Sequence, residues 1–101
     1  MSDDTQQAPA TASLSALRSQ IDAVDRQLLE LLAKRAELAC AISAAKQILH
    51  RPVRDETREQ AALLERTKWA SQLGLDQRFV DELFHAIMLW SRAVQEESRP
   101  R

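Results

Sequence analysis

The sequence predicts an all-α protein, a three-helix protomer whose first helix is very long. The chain has 101 residues with one Gly and three Pro, a composition typical of helical proteins. Residues 14–49 contain neither Gly nor Pro, and their apolar residues recur at alternating intervals of three and four, which is a heptad seam on one helix. Such a helix is roughly 54 Å long, whereas a compact domain of this chain length is only about 35 Å across. The helix therefore needs a partner beyond its own chain, and a second copy is the simplest one.

The seam of the first helix is apolar at every position except Arg35. Its apolar members are Leu14, Leu17, Ile21, Val24, Leu28, Leu31, Leu38, Ile42, Ala45 and Leu49. Thr11 or Ser13 is available as the N-cap. Pro52 cannot continue a helix and disfavours the helical conformation of Arg51, so we expect the helix to end just before them.

Two shorter helices follow. The second is predicted from about Asp55 to Leu73, with Gly74 as the C′ residue. Its predicted buried side consists of Ala62, Leu63, Trp69, Ala70 and Leu73. Asp76 is the predicted N-cap of a third helix that reaches roughly Glu97. Leu75 and Val80 stand at the two positions of a hydrophobic staple around that cap.

Composition bounds the domain organisation and the class of partner. We predict a disordered tail over residues 1–12, one helical domain over residues 13–97 and a frayed end over residues 98–101. Fourteen Lys and Arg against fifteen Asp and Glu give a net charge of −1, which argues against a nucleic-acid or membrane-surface partner.

The sequence shows no apolar run of membrane-spanning length and no signal-peptide core, so we expect a cytoplasmic protein. Cys40, the only cysteine, is expected to be a packed thiol.

Three basic residues of the first helix are spaced to act together. A charge on a buried seam is costly unless it is paired, which singles out Arg35. Lys46 is eleven residues further on and projects within ~20° of Arg35, roughly 16 Å along the axis. Arg18 is turned about 100° away from Arg35, so an antiparallel partner helix brings it to the same ligand more easily than its own chain does. Taken singly, each residue is better explained as an ordinary solvated helix charge.

Polar residues also interrupt the apolar stripe of the third helix, where Ser91 and Gln95 occupy the next two positions. A local hydrogen bond explains Ser91 equally well, and a wetter helix end explains Gln95 less well. On the second helix Asp55, Arg58 and Glu59 share one face, and this cluster taken alone is better explained as a local ion-pair set. Together these residues describe a polar pocket without a nucleophile beside a base and without a metal-ligand set. An enzyme with this pocket works by binding and electrostatics, and no cofactor is expected.

The combined pattern strongly resembles the all-helical AroQ class of chorismate mutases over residues 14–97. The positions that carry the resemblance are Leu17-Arg18, Lys34 to Ala39, Lys46, the run His50-Arg51-Pro52-Val53-Arg54-Asp55, Arg58-Glu59, Ser91 and Gln95. The R-P-V-R-D-x-x-R-E run is the specific part. The resemblance implies an intertwined homodimer with two equivalent active sites that convert chorismate, a dianion, to prephenate without a cofactor.

The resemblance also implies a role for each of eight residues. Arg35, together with Arg18 of the other protomer, clamps the substrate carboxylates. Lys46 and Gln95 donate hydrogen bonds to the ether oxygen, on which negative charge develops. Asp55 and Glu59 lie near the ring hydroxyl. Supporting contacts come from Arg58 and Ser91. The expected catalytic residues are Lys46, Gln95, Arg35 and Glu59.

Three other functions fit parts of the pattern. Isochorismate pyruvate lyases share the fold and a cationic pocket, and residues 69–90 resemble them at least as much as they resemble the mutases. Mutases that act on the 4-amino analogue of chorismate are a further alternative. A non-catalytic helical dimerisation module explains the seam but leaves Arg35, Lys46 and Gln95 without a role.

Overall fold

The computed structural model describes residues 4–99, and the side chains of residues 7–99. It contains three helices in chain order, α1 (Asp4–Ile48), α2 (Glu56–Gln72) and α3 (Gln77–Glu97). No strand occurs in the described part of the chain, which confirms the predicted all-α class with a long first helix. Among the described residues, no helix has the length and apolarity needed to cross a membrane.

Helix α1 begins earlier than the sequence predicts. Residues 4–12 were expected in the tail but are helical, so neither Thr11 nor Ser13 is the N-cap. The Thr11 hydroxyl instead donates back to the carbonyl of Gln7 at 2.8 Å. Pro9 lies inside this segment, where it removes one backbone hydrogen bond near the helix start, and the neighbouring alanines favour helix. Residues 1–3 of the predicted tail lie outside the described residues.

The end of α1 is a Schellman turn with an unusual residue at its C′ position. The amide of Arg51 donates to the Lys46 carbonyl at 2.7 Å, and the amide of His50 donates to the Gln47 carbonyl at 3.2 Å. His50 has a φ of 55°, a left-handed conformation that glycine more commonly adopts here. The turn occurs just before Pro52, as predicted.

The ends of α2 and α3 carry caps, of which Gly74 and Asp76 were predicted and Asp55 was not. The Asp55 carboxylate accepts a hydrogen bond from the Arg58 amide at 3.0 Å, which makes Asp55 the N-cap of α2. Gly74 has a φ of 70°, and the following amide, that of Leu75, donates to the Ala70 carbonyl at 2.8 Å. Asp76 caps α3 by accepting from the amides of Arg78 and Phe79, at 2.9 and 3.2 Å.

The chain divides into two compact units, one through Arg35 and one from Ala36. In the first unit, α1 exposes the apolar residues of its seam by 47–67%, and these are Leu14, Leu17, Ile21, Val24, Leu28 and Leu31. In the second unit, Leu38 and Ile42 on the seam are also exposed, while Ala39 and Ser43 are buried. Since successive helical residues differ by about 100°, α1 packs within the second unit on a face adjacent to the seam.

Helices α2 and α3 pack together through small and medium-sized residues of the second unit. The buried apolar residues there include Ala62, Ala70, Val80 and Met88. Trp69 and Leu73 were predicted to be buried but are 45% and 74% exposed. Leu73 is the C-cap of α2 and so lies beyond its last turn. The indole of Trp69 lies against the guanidinium of Arg66, 5.2 Å from the ring centroid, and the same cation lies 5.4 Å from the Phe84 ring.

Two further expectations differ from the structure. Residues 98 and 99 of the predicted frayed end are held in place, because Ser98 caps α3 and Arg99 donates to the carbonyl of Arg51 at 3.2 Å. Residues 100–101 lie outside the described residues. Cys40 is exposed, because the residue next to it, Ala39, occupies the buried face of α1.

Candidate functional site

Lys46 and Gln95 meet in the second unit. The Lys46 ammonium donates to Oε1 of Gln95 at 3.1 Å and also donates to the backbone carbonyl of Val53. Gln95 is only 6% exposed and Lys46 is half-buried. Because Oε1 accepts from Lys46, the nitrogen of the same amide is its donor end. Two donor groups, one cationic and one neutral, therefore lie side by side in the structure, although they are 49 residues apart in the sequence.

The backbone of Gln95 is fixed by hydroxyl groups. The Ser43 hydroxyl is buried and donates to the Gln95 carbonyl at 3.0 Å, and the Ser98 hydroxyl donates to the same oxygen at 2.9 Å. Ser43 lies three residues before Lys46, so both project from the same side of α1. Gln95 is thus at a packed helix end, and the alternative of a wetter end is wrong for this residue.

Asp55 and Arg58 lie at the start of α2, where both are exposed. The expected ion-pair cluster with Glu59 takes a different form. The Asp55 carboxylate binds the backbone amide of Arg58, as a helix cap, and Glu59 pairs with a residue of α3 instead. The N-cap role fixes the direction of the Asp55 side chain at the helix start.

Glu59 pairs with Arg92, a residue that the sequence pattern did not indicate as part of the site. The Arg92 Nε atom lies 3.6 Å from a Glu59 carboxylate oxygen, and the two side chains are only 26% and 23% exposed. This distance is too long for a hydrogen bond, and Arg92 Nε is buried without a hydrogen-bond partner. Both residues line a cleft of about 220 Å³ between α2 and α3, beside Met88 and Leu63. The sequence signal that could have indicated Arg92 is its position as a basic residue directly after Ser91.

A second and larger cleft, the loop cleft, lies where α1 ends and α2 begins. It has a volume of about 500 Å³ and is lined by Ile42, Ala45, Lys46, Leu49, Asp55 and neighbouring loop residues that include Arg51 and Arg54. Its walls combine seam residues of α1 with three cations and two carboxylates, those of Asp55 and Glu56, and Glu56 pairs with Arg54 at 3.0 Å. Such a cleft suits a small anion with an apolar ring. Lys46 and Asp55, two of the predicted site residues, share this cleft.

The remaining predicted residues are distributed over both units. Arg18 and Arg35 belong to the first unit, where Arg18 is exposed and Arg35 is half-buried. Ser91 is half-buried on α3 in the second unit, as its position on the interrupted stripe suggests. Among the described residues, no group of three or more His, Cys, Asp and Glu side chains is placed to hold a metal ion.

Comparison with known proteins identifies the family. Residues 17–96 match the family model described as "Chorismate mutase type II". The chain is 43% identical over 75 residues to a bifunctional chorismate mutase/prephenate dehydratase of Escherichia coli (strain K12), an alignment that covers 74% of this chain and 19% of the relative. It is 39% identical over 77 residues to the T-protein of Enterobacter agglomerans, covering 76% of this chain and 21% of the relative. The chain thus matches about a fifth of the length of these curated relatives. Because the family model spans most of the sequence and the fold is all-helical, the chain belongs to the chorismate mutase type II family.

Proposed function

We propose that this protein is a chorismate mutase that rearranges chorismate to prephenate within a homodimer. The observation that carries the proposal is the contact of Lys46 with Gln95. It supports the expectation that two hydrogen-bond donors converge on one substrate atom.

The reaction needs orientation and electrostatic stabilisation. It is intramolecular, because one C–O bond breaks and one C–C bond forms inside a single dianion. The protein must hold the enolpyruvyl arm over the ring, and it must stabilise the negative charge that develops on the ether oxygen. In the proposed site Lys46 Nζ and the amide nitrogen of Gln95 donate to that oxygen. Fixed donors in a half-buried site need little reorganisation during the reaction.

The anionic groups of the substrate require cations. Arg35, with Arg18 of the other protomer, is proposed to clamp the two carboxylates, a task suited to planar guanidinium groups. Asp55 and Glu59 are proposed to contact the ring hydroxyl, with Arg58 and Ser91 as supporting contacts. The loop cleft, which Lys46 and Asp55 line together, is compatible with this arrangement.

The homodimer is proposed from the exposure of α1. The apolar seam residues of its first unit are about half exposed or more, and a contiguous apolar stripe of this kind marks an interface. A second α1 with the same heptad spacing is complementary to it. A cytoplasmic location stays a prediction from the sequence.

Product analysis tests the proposal. Purified protein is incubated with chorismate and, separately, with isochorismate, and the products are identified by chromatography and proton NMR. We expect prephenate from chorismate and no pyruvate from isochorismate. Release of pyruvate from isochorismate alone would assign the lyase activity instead. Conversion of neither compound by folded protein would leave two alternatives, a mutase of the 4-amino analogue of chorismate and a non-catalytic dimerisation module.

A matched pair of variants connects the activity to the site. Lys46→Met removes the ammonium that contacts Gln95, whereas Lys68→Met removes an exposed ammonium of α2. We expect loss of roughly 10²–10³-fold in kcat/KM for the first variant, the usual cost of one donor to a developing oxyanion, and none for the second.

A further inference from the structure

We propose that Ser43 is a positioning residue that holds Gln95 in place from another helix, with Arg99 completing the same hydrogen-bond network. This inference rests on the proposed function of Gln95 as a donor to the substrate. It concerns two residues, Ser43 and Arg99, to which the family resemblance assigned no role.

The need for such a contact follows from where Gln95 lies. Helix α3 ends at Glu97, so Gln95 is in its last turn, where backbone carbonyls have no helical donor. In a continuing helix the Gln95 carbonyl would accept a hydrogen bond from the amide of Arg99, four residues on. That amide donates to the Glu96 carbonyl instead, at 3.3 Å. A last turn without replacement donors frays, and a frayed turn does not hold a side chain in one position.

Two hydroxyl groups replace the missing helical donor. Ser98 donates to the Gln95 carbonyl from within the same turn, at 2.9 Å. Ser43 donates to the same oxygen from α1, at 3.0 Å and across 52 residues of sequence. Ser43 is only 2% exposed, so its bond does not compete with water. Of the two hydroxyls, only that of Ser43 ties this turn to another helix.

Arg99 fixes the direction in which the Ser43 hydroxyl donates. A hydroxyl has one hydrogen, and that of Ser43 points to the Gln95 carbonyl, which leaves its lone pairs to accept. The Nε of Arg99 lies 3.4 Å from the Ser43 oxygen, and a terminal nitrogen of Arg99 donates to the Arg51 carbonyl at 3.2 Å. A cationic donor at the oxygen disfavours rotation of the hydroxyl hydrogen towards Arg99. Arg99 thereby joins the end of α3 to the end of α1.

The geometry connects this network to the site chemistry. Ser43 and Lys46 are one turn apart on α1, and they contact the backbone and the side chain of Gln95, respectively. One face of α1 therefore sets both the position of the Gln95 amide and the position of the ammonium beside it. A shift of the α3 end relative to α1 separates the two donors.

The test is Ser43→Ala, which deletes one buried hydroxyl and keeps a good helix former. We expect kcat to fall roughly 3- to 30-fold with KM little changed, less than the ~10²–10³-fold cost of losing a donor itself. Ser71→Ala is the control, because it deletes an exposed hydroxyl from α2. Arg99→Ala should also lower kcat, but by a smaller factor, because Arg99 Nε lies 3.4 Å from the Ser43 oxygen, which is a long contact.

Two readouts separate positioning from a merely structural role. In a Gln95→Ala background, Ser43→Ala should change kcat by less than about twofold, because coupled residues are non-additive. Amide exchange of Ser98, whose N–H bonds the Val94 carbonyl, should accelerate in Ser43→Ala and not in Ser71→Ala.

The outcomes are distinguishable. Wild-type protein that does not act on chorismate removes the proposed function. Two results would overturn the positioning role and leave the proposed function intact. The first is a Ser43→Ala variant that is as active as an active wild type. The second is a loss of kcat on Ser43→Ala that is as large in the Gln95→Ala background as in wild type. If Ser43→Ala does not fold, Arg99→Ala on the partly exposed end of the network gives the same two readouts.

Discussion

Replacing Gln95 by glutamate tests the proposed role of its amide. Gln95→Glu keeps the shape of the side chain, but an ionised carboxylate presents only acceptors where the amide nitrogen presented a donor. Its negative charge also repels the charge that develops on the ether oxygen. We expect kcat/KM at neutral pH to fall by roughly 10²–10³-fold, the range found when one such donor is lost.

The structure predicts that this variant still folds. The Lys46 ammonium lies 3.1 Å from Oε1 of Gln95, so a carboxylate placed there forms an ion pair. At an effective dielectric constant of about 20, the attraction at this distance is about 5 kcal/mol. Burying the carboxylate costs several kcal/mol. Because the two terms nearly cancel, the free energy of unfolding should change by no more than about 2 kcal/mol.

The pH dependence has a definite sign. Burial raises the pKa of the introduced carboxyl, whereas Lys46 lowers it, and kcat/KM reports this pKa in the free enzyme. Below this pKa the carboxyl is protonated and becomes a donor again. The activity of Gln95→Glu should therefore recover as the pH falls through the pKa, and wild type should show no comparable gain. Adding Lys46→Gln removes the cation, so the recovery should move to higher pH in the double variant.

The assay is kcat/KM for chorismate against pH, with folding checked by circular dichroism at each pH. Gln77→Glu at the exposed start of α3 is the control and should behave like wild type. A Gln95→Glu protein as active as wild type at neutral pH refutes the donor role. So does a folded variant that stays inactive at every pH, or a recovery midpoint that the Lys46 substitution does not move.

Four further predictions concern the proposed dimer, the two arginines proposed to clamp the substrate, Arg92 and Gly74. Since the partner helix is part of the core in the proposed dimer, the unfolding midpoint should rise with protein concentration, and a folded, active monomer in sedimentation experiments would contradict this. Mixing inactive Arg18→Ala with inactive Arg35→Ala should restore activity, because one site of the mixed dimer receives neither defect; exchanged dimers that stay inactive exclude the cross-protomer role. Arg92→Met should lower kcat/KM in wild type but have little further effect in a Glu59→Gln background, and equal effects in both would show that Arg92 does not act through Glu59. Gly74→Ala should destabilise the fold by about 1 kcal/mol in chemical denaturation, because the φ of 70° strains alanine although no atom lies within 4 Å of the added Cβ; an unchanged midpoint would refute this.

The helix ends could be predicted from sequence because their determinants are local. Asp55 and Asp76 accept hydrogen bonds from amides two or three residues away, and Gly74 adopts the left-handed conformation that ends α2. Pro52 acts on its immediate neighbours. The start of α1 could not be predicted, because Pro9 and the polar residues around it favour a tail, whereas residues 4–12 are helical in the structure.

The proximity of Lys46 to Gln95 could be predicted only through the family resemblance. A separation of 49 residues in the sequence does not fix the distance between two side chains in the structure. The heptad pattern predicted an apolar stripe on α1, whose residues are exposed in the structure, but it did not indicate which face packs within the second unit. That face carries Ala39 and Ser43, whose small side chains are ordinary for a helix and give no signal of burial.

Sequence by itself thus determined the helical class and the second and third helices with the caps at Gly74 and Asp76, whereas its site residues stay predictions. Only the tertiary structure decided that Glu59 pairs with Arg92 and that Ser43 holds the carbonyl of Gln95. The physical reason is the range of the interactions. Caps and turns are closed within a few residues, whereas these contacts join side chains more than thirty residues apart, and their geometry exists only after the helices have packed.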